Sequence, residues 1–148
     1  MTVVAWDGKT LAADRLAVCG RARSSVTKIY RFGGELIGGA GTISVVKEMA
    51  HWYEMGADPE TFPASARGEA DGTSVLIVVL ANGTAWSYEG GPLPFLVEDP
   101  HGAWGCGNEA ALVAMACGLH AAAAVAMVSR FNSACGNGVD ALTLDGKT

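Results

Sequence analysis

The chain has 148 residues, half of them apolar and 17% charged, enough for one packed domain and too hydrophobic for a disordered one. A formal net charge of −5 without any Lys/Arg run argues against a nucleic-acid partner, whose affinity rests on displacing counterions from phosphate. The longest apolar run, 119–128, is too short to span a bilayer, and residues 1–7 lack the basic and apolar regions of a secretory signal, so a cytoplasmic protein with no membrane segment is expected.

Residues 2–6 are β-rich, Asp7-Gly8 makes a hairpin turn, and 10–13 return. A second pair is expected at 16–22 and 26–32, with Lys28 inside the latter strand, and Gly33-Gly34 turns into 35–39. Gly38-Gly39-Ala40-Gly41 ends the sheet. Thr42 caps a helix running to about Met55, in which Val45, Val46, Met49, Trp52 and Tyr53 share a face and Gly56 takes the C′ position. Trp52, Tyr53 and Met55 cover more than one face of that helix, a surplus that points to a partner surface.

Residues 57–72 are polar, contain Pro59 and Pro63, and read as a surface connection. The continuous apolar run 73–80 is a strand covered on both faces; Asn82-Gly83 turns it into 84–88. A proline-rich loop, 89–101, carries Glu89, Glu98 and Asp99 beside Phe95 and Leu96. Two alanine-rich helices, 108–117 and 119–131, hinge at Gly118, and a last strand spans 139–144. Strands, helix, strands, two helices, strand: this order, with central strands apolar on both faces, predicts an α+β fold. Its economical packing is a four-layer αββα sandwich, one domain over 1–148.

Cys19, Cys106, Cys117 and Cys135 form no CxxC and have no histidine at ligand spacing, so reduced thiols and no metal site are expected. His51, His101 and His120 read as surface or satisfied core residues. The chemistry concentrates at Thr2. A threonine hydroxyl is a poor nucleophile without an adjacent base. Removal of Met1 would free an α-amino group on the same residue, with an ordinary pKa of about 7.7–8.0. A protonated lysine nearby would hold that amine neutral and steady a developing oxyanion, and a carboxylate would position the lysine. Asp14 and Lys28 are the candidates, followed by the glycine run at 38–41.

The run Thr2-Val3-Val4-Ala5-Trp6, then Ala13-Asp14, Val26-Thr27-Lys28-Ile29 and Gly39-Ala40-Gly41-Thr42 resembles the HslV peptidase and the proteasome β-subunits. It looks closest to the short bacterial and phage-borne proteasome homologues. Gly105-Cys106-Gly107 and Asn132-Ser133-Ala134-Cys135-Gly136 fall where that family has two further loops. The resemblance implies an N-terminal-nucleophile hydrolase without a cofactor. In it Thr2 is nucleophile, its freed amine the base, Lys28 tunes the amine, Asp14 holds Lys28, and the Gly38 N–H is the oxyanion donor. It also implies a homo-oligomeric ring or double ring, peptide or unfolded polypeptide substrates, and an ATP-dependent unfoldase as a candidate partner.

The chain departs from the pattern in three places. Cys106 stands where the family has the serine of Gly-Ser-Gly. Asn132 and Cys135 stand in place of Asp and Ser in Asp-x-x-Ser-Gly, groups that hydrogen-bond around the threonine amine; thiols do this more weakly. A second helix of HslV is replaced by 57–72. A catalytically silent assembly protein and an amidase for a small amide are the alternatives.

Overall fold

The computed structural model describes residues 2–68 and 74–146. Met1, Thr73 at the start of the expected 73–80 strand, and the end of the 57–72 connection lie outside the described residues. In chain order the strands are β1 (Val4–Trp6), β2 (Thr10–Asp14), β3 (Leu16–Cys19), β4 (Ala22–Ser25), β5 (Ile29–Phe32) and β6 (Glu35–Ala40). Helix α1 (Ile43–Glu54) follows, then β7 (Val75–Val79), β8 (Ala85–Glu89), β9 (Phe95–Leu96) and β10 (Gly102–Trp104). Helices α2 (Asn108–Ala116) and α3 (Ala121–Phe131) lead to β11 (Val139–Thr143).

One antiparallel sheet has the order β10-β1-β2-β11 and the other β5-β6-β7-β8-β9, with β3 and β4 forming a separate hairpin. Strand alternation sorts the apolar residues into layers. Val3, Ala5 and Ala12 face α2 and α3, packing on Ala111, Met115, Val125 and Val128. Their neighbours Val4, Trp6, Leu11 and Ala13 face the second sheet, meeting Ile29, Leu36, Ile77 and Val79. On the far side of that sheet Ile37, Leu76 and Val78 pack against Val45, Met49 and Trp52 of α1. Helices, sheet, sheet, helix: the αββα expectation holds. The middle layer contains Leu11, Leu36 and Ile77, none exposed, each stabilising by about 1.5–3 kcal/mol through burial.

Three local expectations are corrected. Gly20, with φ +59°, and Arg21 form a two-residue turn, so 16–22 is split into the β3–β4 hairpin, in which Cys19 pairs with Ala22. The Val26 N–H then closes that hairpin by donating to the Arg15 carbonyl, at 2.8 Å, which takes 26–28 out of the ladder. Lys28 therefore sits just before β5, not inside a strand. Second, the 57–72 connection is not wholly superficial: Phe62 and Ala66 are buried, and Phe62 meets Trp52 edge-on at 4.9 Å. That contact makes Trp52 a core residue, while Met55 stays exposed. Third, the 89–101 loop contains β9, which extends the second sheet by pairing with Trp86 and Ser87 of β8.

Candidate active site

Thr2 lies two residues before β1 and is 5% exposed. Its carbonyl accepts from the Gly107 N–H at 3.2 Å, and its own N–H donates to Cys106 Sγ at 3.3 Å. Both partners belong to the turn between β10 and α2, which approaches this closely because it has no side chain in the way. A β-carbon on Gly105, whose φ is +93°, would collide with the Thr2 carbonyl, and one on Gly107 would reach the Val3 Cβ at 2.9 Å. The Gly-Cys-Gly spacing is thus a packing requirement of Thr2.

Asp14, at the end of β2, is fully buried. Its carboxylate is surrounded by donors: Oδ1 accepts from the Val3 N–H (3.1 Å) and from Lys28 Nζ (2.7 Å). Oδ2 accepts from the Gly136 N–H (3.0 Å) and the Leu16 N–H (3.3 Å). A buried charge is tolerated only when its lone pairs are met in this way. The Lys28 side chain is 6% exposed, so the ion pair is held away from bulk water. Beside it, Arg15 clamps both oxygens of Asp140 at 2.8 and 2.9 Å, which ties β11 to the end of β2.

Thr2, Lys28, Gly38 and Gly39 line one cavity of about 400 Å³ between the second sheet and α1. Its apolar wall comes from Ile37, Val46, Ala50 and Leu76. Gly38 turns its Cα face to the inter-sheet core, where a β-carbon would meet Ile29 Cγ2 at 3.1 Å. Gly39 faces the other way, and a β-carbon there would collide with Val46 Cγ1 of α1. A side chain at Gly39 would therefore crowd the α1 side of the cavity, and one at Gly38 would crowd the inter-sheet core instead.

Cys106 and Cys135 approach each other at 3.9 Å between sulfurs, and Cys106 Sγ is also 3.4 Å from the Thr2 carbonyl oxygen. Burial, then the neighbouring Cys106 and Asp14, pushes the Cys135 thiol up to about 12. Asn132 ends α3, and its Oδ1 accepts from the Ala134 N–H at 2.9 Å. It lines a separate groove with Met127 and Phe131. The cavity is also lined by Tyr30, whose hydroxyl donates to Glu54 Oε1 at 2.5 Å, and Lys47, which no motif marks, and by His51, expected only as a surface or satisfied core residue. Their signal was the polar side of α1 at 47, 51 and 54, one helical face.

No protein-family model and no curated protein matches this sequence. Solved structures do. Thiobacillus denitrificans BPH in complex with epoxomicin superimposes with a TM-score of 0.69 at 16% identity, covering 100% of both chains. A second structure of Thiobacillus denitrificans BPH gives 0.66 at 18% identity, covering 96% of each. Eukaryotic HslV from Trypanosoma brucei gives 0.65 at 21%, covering 95% of this chain and 96% of its own. The likeness is one of fold: this chain has the αββα architecture of the HslV and proteasome type, the fold of N-terminal-nucleophile hydrolases. Among the described residues no helix is long and apolar enough to cross a membrane, and no group of three or more His, Cys, Asp or Glu could hold a metal ion.

Proposed function

We propose that this protein is a threonine peptidase in which Thr2, made N-terminal by removal of Met1, attacks the carbonyl of a peptide bond. The observation that carries this reading is that Thr2 shares the wall of one cavity with Lys28, whose ammonium is paired with the buried Asp14. The Thr2 hydroxyl attacks while its freed α-amine takes the proton. The Lys28 ammonium holds that amine neutral by like-charge repulsion, and Asp14 fixes the ammonium. The Gly38 N–H donates to the oxyanion of the tetrahedral intermediate. Collapse expels the leaving amine and leaves an acyl-enzyme on Thr2, which a water activated by the same α-amine then hydrolyses.

In this reading Cys106 orients the α-amine, since its sulfur already lies 3.3 Å from the Thr2 nitrogen. Cys135 backs Cys106, and Asn132 shapes the turn leading to Cys135 through its bond to Ala134. The whole of 1–148 acts as one peptidase domain that assembles into a ring or double ring in the cytoplasm. The enclosed sites admit short peptides or unfolded chains, which an ATP-dependent unfoldase would supply.

One observation favours a second reading, a silent assembly protein. Thiols rather than hydroxyls surround the Thr2 nitrogen, and they are weaker hydrogen-bonding groups. An α′,β′-epoxyketone separates the two, because the threonine hydroxyl adds to its ketone and the free amine opens its epoxide. BPH binds epoxomicin, which supports that choice of probe. Processed protein gains one inhibitor mass per subunit by intact-mass spectrometry. Thr2→Ala gains none, and protein retaining Met1 does not close the ring. Absence of labelling on a demonstrably free Thr2 amine overturns the peptidase reading in favour of the silent one.

A further inference from the structure

Two thiols lie beside Thr2 that the reaction above does not use as nucleophiles. Cys106 and Cys135 are 29 residues apart in the chain and 3.9 Å apart between sulfurs. Cys106 is exposed on the turn between β10 and α2, whereas Cys135 is 2% exposed in the connection from α3 to β11. A disulfide needs its sulfurs at about 2.05 Å, a closure of about 1.9 Å from their present separation. Cys19 and Cys117, the other two cysteines, are each exposed elsewhere.

We propose that Cys106 and Cys135 form a reversible disulfide under a hydroperoxide oxidant, and that this bond turns off chemistry at Thr2. The exposed Cys106 meets the oxidant first: its sulfur takes one peroxide oxygen to become a sulfenic acid, and water (or an alcohol, from an organic peroxide) leaves. Cys135 then attacks the Cys106 sulfur, the S–O bond breaks, and the departing hydroxide takes the Cys135 proton as water. The two thiols have lost two electrons to the peroxide. Burial pushes the Cys135 thiol up to about 12, which leaves the first attack on the peroxide to the exposed Cys106 and slows, without preventing, the condensation that follows. A dithiol reverses the bond by exchange.

Two consequences reach Thr2. Cys106 Sγ, which the Thr2 nitrogen contacts at 3.3 Å, is drawn toward Cys135 and loses its S–H. Cys135 also precedes Gly136, whose N–H holds Asp14 at 3.0 Å, so the bond pulls on the loop that positions Lys28's partner. The loss of Thr2 chemistry rests on the peptidase reading; the disulfide itself does not.

The test uses full-length protein in a Cys19→Ser/Cys117→Ser background, treated with hydrogen peroxide, blocked with N-ethylmaleimide and digested without reductant. A peptide joining Cys106 to Cys135, two hydrogens lighter than its parts and split by dithiothreitol, is expected, and Cys135→Ala should give no such species. Epoxyketone labelling of Thr2 should slow at least about tenfold on oxidation and recover on reduction, the scale of a misplaced catalytic group. Cys106 recovered as a sulfinic acid or maleimide adduct with no link overturns the proposal. A linked protein that labels as fast as the reduced form overturns the control of Thr2. If the reduced protein never labels, the peptidase reading falls, and the presence or absence of the linked peptide alone decides the disulfide.

Discussion

Lys28 Nζ lies 2.7 Å from Asp14 Oδ1, and that carboxylate also receives the backbone N–H groups of Val3, Leu16 and Gly136. The two residues are therefore not equivalent. Lys28→Ala leaves Asp14 with three donors, so the fold should survive while peptide turnover falls at least about a hundredfold. Asp14→Ala removes the acceptor of three buried N–H groups and leaves an ammonium without its carboxylate, costing about 3–5 kcal/mol. Urea unfolding read beside peptide cleavage distinguishes the two. A Lys28→Ala protein with full turnover would return the lysine to a structural role.

Gly39 and Val46 are coupled by a contact that admits no side chain on β6. Gly39→Ala should destabilise by about 1–3 kcal/mol through overpacking against Val46 Cγ1. Adding Val46→Ala should recover part of the loss, with a coupling energy of about 0.5–3 kcal/mol in a double-mutant cycle. Strict additivity would show that the crowding at 39 comes from another neighbour.

All three tyrosines should resist ionisation. Burial pushes Tyr30, Tyr53 and Tyr88 up from the ordinary value of 10.0. The Tyr30–Glu54 and Tyr53–Glu35 hydrogen bonds push in the same direction. A raised pKa in the folded state stabilises the phenol form. That contribution is complete below about pH 10, the unfolded value, and is lost as pH rises through the folded values. Phenolate absorbance in the folded protein should stay low at pH 10 and rise only higher or with unfolding. A full three-tyrosine transition near pH 10 with native circular dichroism would contradict this.

Assembly has a mass signature. Leu93, Val113 and Phe131 are each more than half exposed, more apolar surface than a lone subunit has reason to show. Light scattering should return at least six subunits of 15.2 kDa. A clean monomer at micromolar concentration would end the ring proposal, since interfaces of standard size persist there.

Much of this was readable because the physics is local. The β-rich run 2–6, the Asp7-Gly8 turn and the return at 10–13 predict β1 and β2, and the α1 stripe is plain. Lys28 was assigned to a strand because Val26 and Thr27 are β-branched. A long-range bond to the Arg15 carbonyl decides otherwise, and no window around 28 contains it. β10 escaped notice for a similar reason: Gly102-Ala103-Trp104 has no periodicity of its own and becomes a strand by pairing with β1. The cavity-lining Tyr30, Lys47 and His51 carry no motif, since what unites them is the space between α1 and β6.

The Asp14 carboxylate gathers donors from residues 3, 16, 28 and 136, and Thr2 takes its sulfur contact from a residue 104 positions away. The contacts from Gly136 and Cys106, unlike those from residues 3, 16 and 28, span more than 100 positions and form late, after the loop-closure entropy has been met. During synthesis the N-terminal hairpin leaves the ribosome without Cys106, Gly107 or Gly136, so the threonine has neither its sulfur contact nor the last of its carboxylate's donors. On the peptidase reading, a chain still being synthesised therefore lacks a complete site until residue 136 has emerged.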